Sequence, residues 1–213
     1  MSKFLYQKGL LATDPKAQWS KKEFTIDSKP YPYKMSHSPV PEYYNQASER
    51  LTFRAFEQED VLRWEPFFHD NPSLDYLGAK MLEHLSPVEK AANWIDRQTD
   101  RQASKQFGQL AVLDKETGAF MGVGGVIFRD LEDGGEYEIT YSLLQEHWGK
   151  GLGTELAVHF RDYLKNVVGL DSVISIIHVE NEASINVAKK NGMVLESEFE
   201  FMEMPVAVYR ATF

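Results

Sequence analysis

Between Glu136 and Asn181 the chain changes its hydrophobic period, and that change constrains the fold more than any other feature. Glu136 to Leu144 (EYEITYSLL) alternates in part and is rich in Tyr, Ile and Thr, which suits a strand. Gly149, Gly151 and Gly153 follow. Leu152, Leu156, Phe160 and Leu164 then recur every four residues, and Val167 and Val168 close the stripe, which predicts an amphipathic helix. Gly169 stands just past its end, where a left-handed cap costs glycine least. Ser172 to Val179 reads as a second strand. The plan is strand, glycine-rich turn, helix, strand.

The first turn of a helix leaves backbone N–H groups without partners, and the helix dipole is positive there. Gly149, Lys150, Gly151, Leu152, Gly153 and Thr154 are therefore a candidate nest for a phosphate or pyrophosphate. The plain alternative is a tight turn with no ligand. The dinucleotide pattern G-x-G-x-x-G fails in both registers, ending on Thr154 or Leu156. The P-loop pattern fails because Gly151 follows Lys150.

The run instead resembles the acetyl-CoA pyrophosphate loop of the GNAT N-acetyltransferases, Q/R-x-x-G-x-G/A, with Gly151 and Gly153 in its glycine positions and Trp148 where Gln or Arg is usual. Together with Glu138-Ile139-Thr140-Tyr141 it resembles the ribosomal-protein N-terminal acetyltransferase-like branch, with its E-I-x-Y and W-G-K-G-x-A/G-T-E. Asn181 to Met193 resembles that branch's E-N-x-x-S-x-x-V-x-x-K-x-G-F, and Arg50-Leu51-Thr52-Phe53-Arg54 its first strand. The resemblance covers residues 49–213. It implies an α/β GNAT fold: a mixed, mostly antiparallel sheet of about seven strands flanked by helices. It also implies acetyl-CoA as co-substrate, with the pyrophosphate at Gly149 to Thr154 beside Trp148, and the pantetheine arm along Leu143, Leu144 and Asn181.

Residues 1–48 lie outside the family pattern and form an N-terminal extension to the 49–213 acetyltransferase domain. They hold Pro30, Pro32, Pro39 and Pro41 with Tyr31, Tyr33, Tyr43 and Tyr44. So many aromatics point to an arm that packs on the domain or on a second subunit; a loosely ordered extension is the other reading. Leu51 to Phe56 is the expected first strand. Short helices are expected over Gln58 to His69 and Ser86 to Gln102, the latter opened by a Ser86-Pro87-x-Glu89 cap. In the GNAT fold these helices flank the acceptor, which makes Trp64, Phe67, Phe68 and Trp94 candidate lining residues. Strands follow at Phe107 to Leu113 and Ala119 to Phe128, where Gly122, Gly124 and Gly125 signal a bulge or close backbone approach. Glu196 to Glu203 and Val206 to Phe213 would close the fold as a hairpin, with Pro205 in its turn.

The 213 residues include no cysteine, which excludes disulfides and a cysteinyl acyl-enzyme. No apolar run reaches membrane-spanning length. The N-terminus has no long apolar segment of the secretory kind, so the cytoplasm is the expected location. A net charge of -9 without a basic run argues against nucleic-acid binding. It leaves open an acidic groove that draws in a cationic amine. His37, His69, His84, His147, His159 and His178 make no metal-binding pattern, so no metal is expected. A homodimer is an expectation that no motif here carries.

Acetyl transfer from a thioester to a primary amine needs a base for the amine, a donor for the thioester carbonyl and a proton for the departing thiolate. Glu138, the glutamate of E-I-x-Y, is the candidate base, against a solvated cross-strand charge. A backbone amide at Leu143 or Leu144 would polarise the carbonyl. The tyrosine that many GNAT enzymes carry in the helix after the asparagine is Ala188 here. Ser184 is then the candidate acid, against simple capping of its helix; Tyr141 is the other hydroxyl nearby. The expected reaction is direct attack in a ternary complex, on a protein N-terminus or a small amine. The rivals are a non-catalytic CoA-binding regulatory module and, weakened by the failed dinucleotide pattern, a nucleotide-binding oxidoreductase.

Overall fold

The computed structural model describes residues 2–7, 20–25, 39, 41–77, 83–131, 134–201 and 203–213. Strands β1 (Ser2–Gln7) and β2 (Ser20–Thr25) form a separate antiparallel pair. The chain then builds β3 (Asn45–Ala47), β4 (Leu51–Arg54), helix α1 (Asp60–Trp64) and helix α2 (Pro87–Ala103). Strands β5 (Gln109–Asp114), β6 (Phe120–Leu131) and β7 (Gly134–Leu143) follow, then α3 (Leu152–Tyr163) and β8 (Ser172–His178). Helix α4 (Glu182–Lys190), β9 (Val194–Phe201) and β10 (Met204–Thr212) complete the fold.

The main sheet has eight strands in the order β3-β4-β5-β6-β7-β8-β10-β9. Every pair in it is antiparallel except β7 with β8. That pair is joined at one register position, Glu138 opposite Ile174. Beyond it the two strands diverge, which opens a gap in the middle of the sheet.

The alternation of β7 separates two environments. Tyr137, Ile139 and Leu143 pack into a core with Leu156 and Phe160 of α3. The even-numbered Glu138 and Thr140 face a cavity against α2, as period two requires. A smaller core joins Trp64, Phe67, Phe68, Ala91 and Ile95 to Val123 and Leu144. Trp64 and Phe68, expected to line the acceptor site, belong to that core.

Helix α3 lies close on the sheet because Gly124 has no side chain: a Cβ there would stand 2.5 Å from a Leu156 methyl. The last turn of the helical run, Leu164–Val168, loosens to a π-turn before Gly169 ends it at φ +79°. Ser86 and Glu89 make the expected capping box of α2.

Two strand assignments differ from expectation. The eighth strand, β3, comes from the stretch assigned to the extension. Tyr43 in the same stretch is fully buried; its hydroxyl donates to Gly108 O at 2.6 Å and accepts from Val126 N at 2.8 Å. β3 and Tyr43 thus pack with the sheet from the stretch expected to form an arm. Pro205 is not in a turn but inside β10, opposite Glu200, where its carbonyl accepts from Val179 N at 3.1 Å.

Candidate active site

The glycine-rich turn is held in place from the bend between β3 and β4. Arg50 Nε donates to Glu155 Oε2 at 2.6 Å, and Arg50 Nη1 donates to Lys150 O at 3.0 Å. Glu155 Oε1 also accepts from Arg50 N and Ser48 Oγ. Burial alone would raise the Glu155 carboxyl, but these donors outweigh it and hold it below its ordinary value. The clamp explains why an R-L-x-x-R strand and a G-T-E turn occur in one chain.

Gly149 and Gly151 have φ of +73° and +76°, a region that side chains rarely adopt, and Gly151 stands at the N-cap of α3. The position a Cβ would take at Gly149 has nothing within 4 Å. The first N–H groups of α3 have no partner within the helix. Trp148, Gly149, Gly151, Leu152, Gly153 and Thr154 line one end of a cavity of about 480 Å3. Lys150 is exposed and outside that lining; what the turn uses is its carbonyl.

The cavity runs from the turn along the gap beside β7 to the start of α4. Leu143 and Asn181 line it. Leu144, expected beside Leu143, turns the other way: its N–H donates to Met121 O at 2.9 Å and its side chain joins the smaller core. The N–H groups of a strand alternate in direction, so Leu143 directs its own toward the gap. Trp148 Nε1 donates to Leu143 O at 2.7 Å, so the residue standing in for Gln or Arg ties the turn to the strand.

A second cavity, of about 230 Å3, opens between α2 and the sheet. Tyr141, Ser142, Asn181 and Ser184 line both cavities, together with Tyr76 and Leu77, so these residues mark where the two meet. Asn181 Oδ1 accepts from Ser184 N at 3.1 Å and so caps α4. Burial raises the Tyr141 hydroxyl well above the ordinary tyrosine value, which keeps it protonated. Ala188 is buried and lines neither cavity.

Glu138 lies in the second cavity, 4% exposed, and both its oxygens are engaged. Oε2 accepts from Arg129 Nε, and Oε1 accepts from Ile176 N at 3.3 Å. It is a buried, paired carboxylate and not a solvated cross-strand charge. Trp94, an expected lining residue, does line this cavity, and Phe67 lines the larger one.

Sequence reasoning missed Arg129, Gln109, Tyr76 and Leu77. For Arg129 a signal exists. The β6–β7 register sets it opposite Glu136, diagonal to Glu138 on the same face. Nothing local marks Tyr76 and Leu77, which reach the site from a short turn of 3-10 helix and the residue that ends it.

Residues 50–194 match the family described as acetyltransferase (GNAT) domain. The chain belongs to the GNAT acetyltransferase family. As a GNAT acetyltransferase it is an acyltransferase enzyme, and acetyl-CoA is the donor that the family uses. An uncharacterized N-acetyltransferase, p20, of Bacillus licheniformis is 28% identical over 156 residues, 71% of this chain and 85% of that protein. Among solved structures, an acetyltransferase from Agrobacterium tumefaciens has a TM-score of 0.65 at 23% identity, over 85% of this chain and 99% of its own. RimL, a ribosomal-protein alpha-N acetyltransferase solved with coenzyme A, has 0.63 at 15%, over 78% and 95%. A spermidine N-acetyltransferase from Vibrio cholerae, solved with CoA and spermine, has 0.58 at 19%, over 76% and 95%. These structural likenesses carry the GNAT fold to this chain. Among the described residues no helix is long and apolar enough to cross a membrane.

Proposed function

We propose that this enzyme transfers the acetyl group of acetyl-CoA to a primary amine by direct attack, with both substrates bound together. The observation that carries the reading is the meeting of two cavities at Tyr141, Ser142, Asn181 and Ser184, one of them ending on the glycine turn of α3. A donor and an acceptor that enter from different sides would have their reacting atoms brought together there.

The empty space at Gly149 and the first turn of α3 along the cavity fit a pyrophosphate. Leu143 and Asn181 flank the length of cavity that a pantetheine arm would occupy. The Leu143 N–H is the donor suited to the thioester oxygen. An α-amine has a pKa of about 8 and must lose its proton before attacking. Glu138 is the base in this reading, through Oε1, the oxygen with the longer bond. Ser184 supplies the proton to the departing thiolate. The acceptor is a protein N-terminus, as RimL's name as an alpha-N acetyltransferase suggests, or a small amine, as that of the spermidine enzyme does. A cytoplasmic homodimer completes the reading.

Calorimetric titration of the purified chain with acetyl-CoA, with NAD and ATP as controls, tests the donor site. Binding in the micromolar range, about -8 kcal/mol, should be seen for acetyl-CoA alone and be lost in Gly151→Glu. A folded protein that binds no acetyl-CoA would overturn the reading.

A further inference from the structure

Resting on the donor site of the acetyl-transfer reading above, we propose that Ser175, acting with Glu138, is a positioning residue that holds open the gap between β7 and β8 for the arm of acetyl-CoA. The two strands pair at a single register position, Glu138 opposite Ile174. Bonds in a parallel ladder pass evenly from strand to strand, so the next rung would join Ile176 N to Ile139 O. Each of those groups instead meets a side chain from across the gap. Ile176 N donates to Glu138 Oε1 at 3.3 Å, and Ser175 Oγ donates to Ile139 O at 3.0 Å. The exchange is reciprocal: β7 supplies a side chain to β8, and β8 supplies one to β7. Buried backbone groups need partners, and these two find them with the strands held apart.

Glu138 and Ser175 are 4% and 6% exposed. The carboxylate is held from its other side as well. Its Oε2 accepts from Arg129 Nε, and the Arg129 guanidinium lies 5.7 Å from the centre of the Phe201 ring on β9. On either side of the gap the sheet is continuous. β7 pairs with β6 over Gly134–Leu143, and β8 pairs with β10 over Ser172–His178. The seam between these two halves is where the sheet can open or close, and the two side chains span it.

Without the Ser175 hydroxyl, Ile139 O would regain a partner if the strands closed by one rung onto Ile176 N. That closure takes the N–H away from Glu138 and narrows the larger cavity, which runs past Leu143 and Asn181. Ser175 lines the second cavity and not the larger one. Its effect on the donor therefore passes through the strands. Glu138 is also the base in this reading, so its own variants mix position with chemistry, and Ser175 separates the two.

The test is calorimetric titration of the full chain with acetyl-CoA, without acceptor, in wild type and in Ser175→Ala, Ser175→Thr and Ser175→Val. Thr and Val have nearly the same shape and differ in the hydroxyl. Kd should rise about tenfold or more in Ser175→Ala and Ser175→Val and stay near the wild-type value in Ser175→Thr. In turnover the loss should fall on KM for acetyl-CoA more than on kcat. The Ile176 amide proton, followed by NMR, should move in Ser175→Ala and Ser175→Val as it leaves the carboxylate. Wild-type affinity in Ser175→Ala and Ser175→Val, or equal loss in Ser175→Thr and Ser175→Val, overturns the role given to Ser175. Where thermal melts show that the larger side chains prevent folding, Ser175→Ala decides by Kd and the Ile176 amide. A folded wild type that binds no acetyl-CoA would instead remove the reading beneath it.

Discussion

The Tyr141 hydroxyl lies 3.5 Å from the Ser184 carbonyl oxygen, bridging β7 and α4 where the two cavities meet. Two hydroxyl groups therefore compete for the role of proton donor. Ser184→Ala should lower kcat by about 10²-fold or more, with KM for acetyl-CoA nearly unchanged. Tyr141→Phe is the companion variant. If it alone abolishes turnover while Ser184→Ala is neutral, the donor is the tyrosine.

Glu138→Gln should lower kcat/KM by about 10²-fold and also destabilise the protein, because Arg129 loses the buried half of its pair. A Glu138→Gln, Arg129→Met double variant should recover stability but not activity. Turnover at the wild-type rate in either variant would remove Glu138 from the chemistry. Thermal melts read beside the kinetics separate the two effects.

The glycine turn makes a positional prediction. Gly151 has φ +76°, so Gly151→Ala should cost about 1–2 kcal/mol in denaturant melts. At Gly153, in the first turn of α3, a Cβ would meet Tyr141 at an ordinary 3.6 Å. Gly153→Ala should therefore fold at least as stably as wild type. Equal losses at the two sites would contradict the role given to the left-handed turn.

Tyr43→Phe should cost about 1–3 kcal/mol, since it leaves the buried Val126 N–H and Gly108 carbonyl without their shared partner. A melt unchanged from wild type would mean that this hydroxyl does not hold the stretch before β4 to the sheet.

Asp60 is fully buried, and Arg54 Nη1 and Arg63 Nη1 donate to it at 2.6 and 2.9 Å. Burial alone would raise its carboxyl, but Arg54, the Glu57 N–H and Arg63 outweigh that and lower it from 3.8. A carboxylate lowered on folding adds stability that is fully present above its unfolded value and is lost as pH falls through the folded one. Denaturant melts should show this contribution intact at pH 6 and fading below about pH 4. Asp60→Asn should lose stability at neutral pH and flatten that acid limb.

Much of the fold was legible because its signals are local. The alternation of β7, the four-residue stripe of α3, the cap at Ser86 and Glu89 and the glycines at turns each follow from one stretch of chain. The turn at Gly149 to Thr154 and the cap at Asn181 were legible for the same reason. That Leu144 turns away from the larger cavity was not legible, because adjacent strand residues face opposite ways and only the register with β6 decides which of them meets it.

By itself the sequence determined the strand, turn, helix and strand plan, the place of the glycine turn ahead of α3 and the absence of cysteine chemistry. Local periodicity and backbone preference settle such things. Only the tertiary structure decided that Tyr43 belongs to the core, that Arg129 occupies Glu138, and that Ser175 meets the Ile139 carbonyl across the gap. Those side chains come from elements far apart in the chain. Their convergence depends on sheet order and helix packing, which no single stretch encodes.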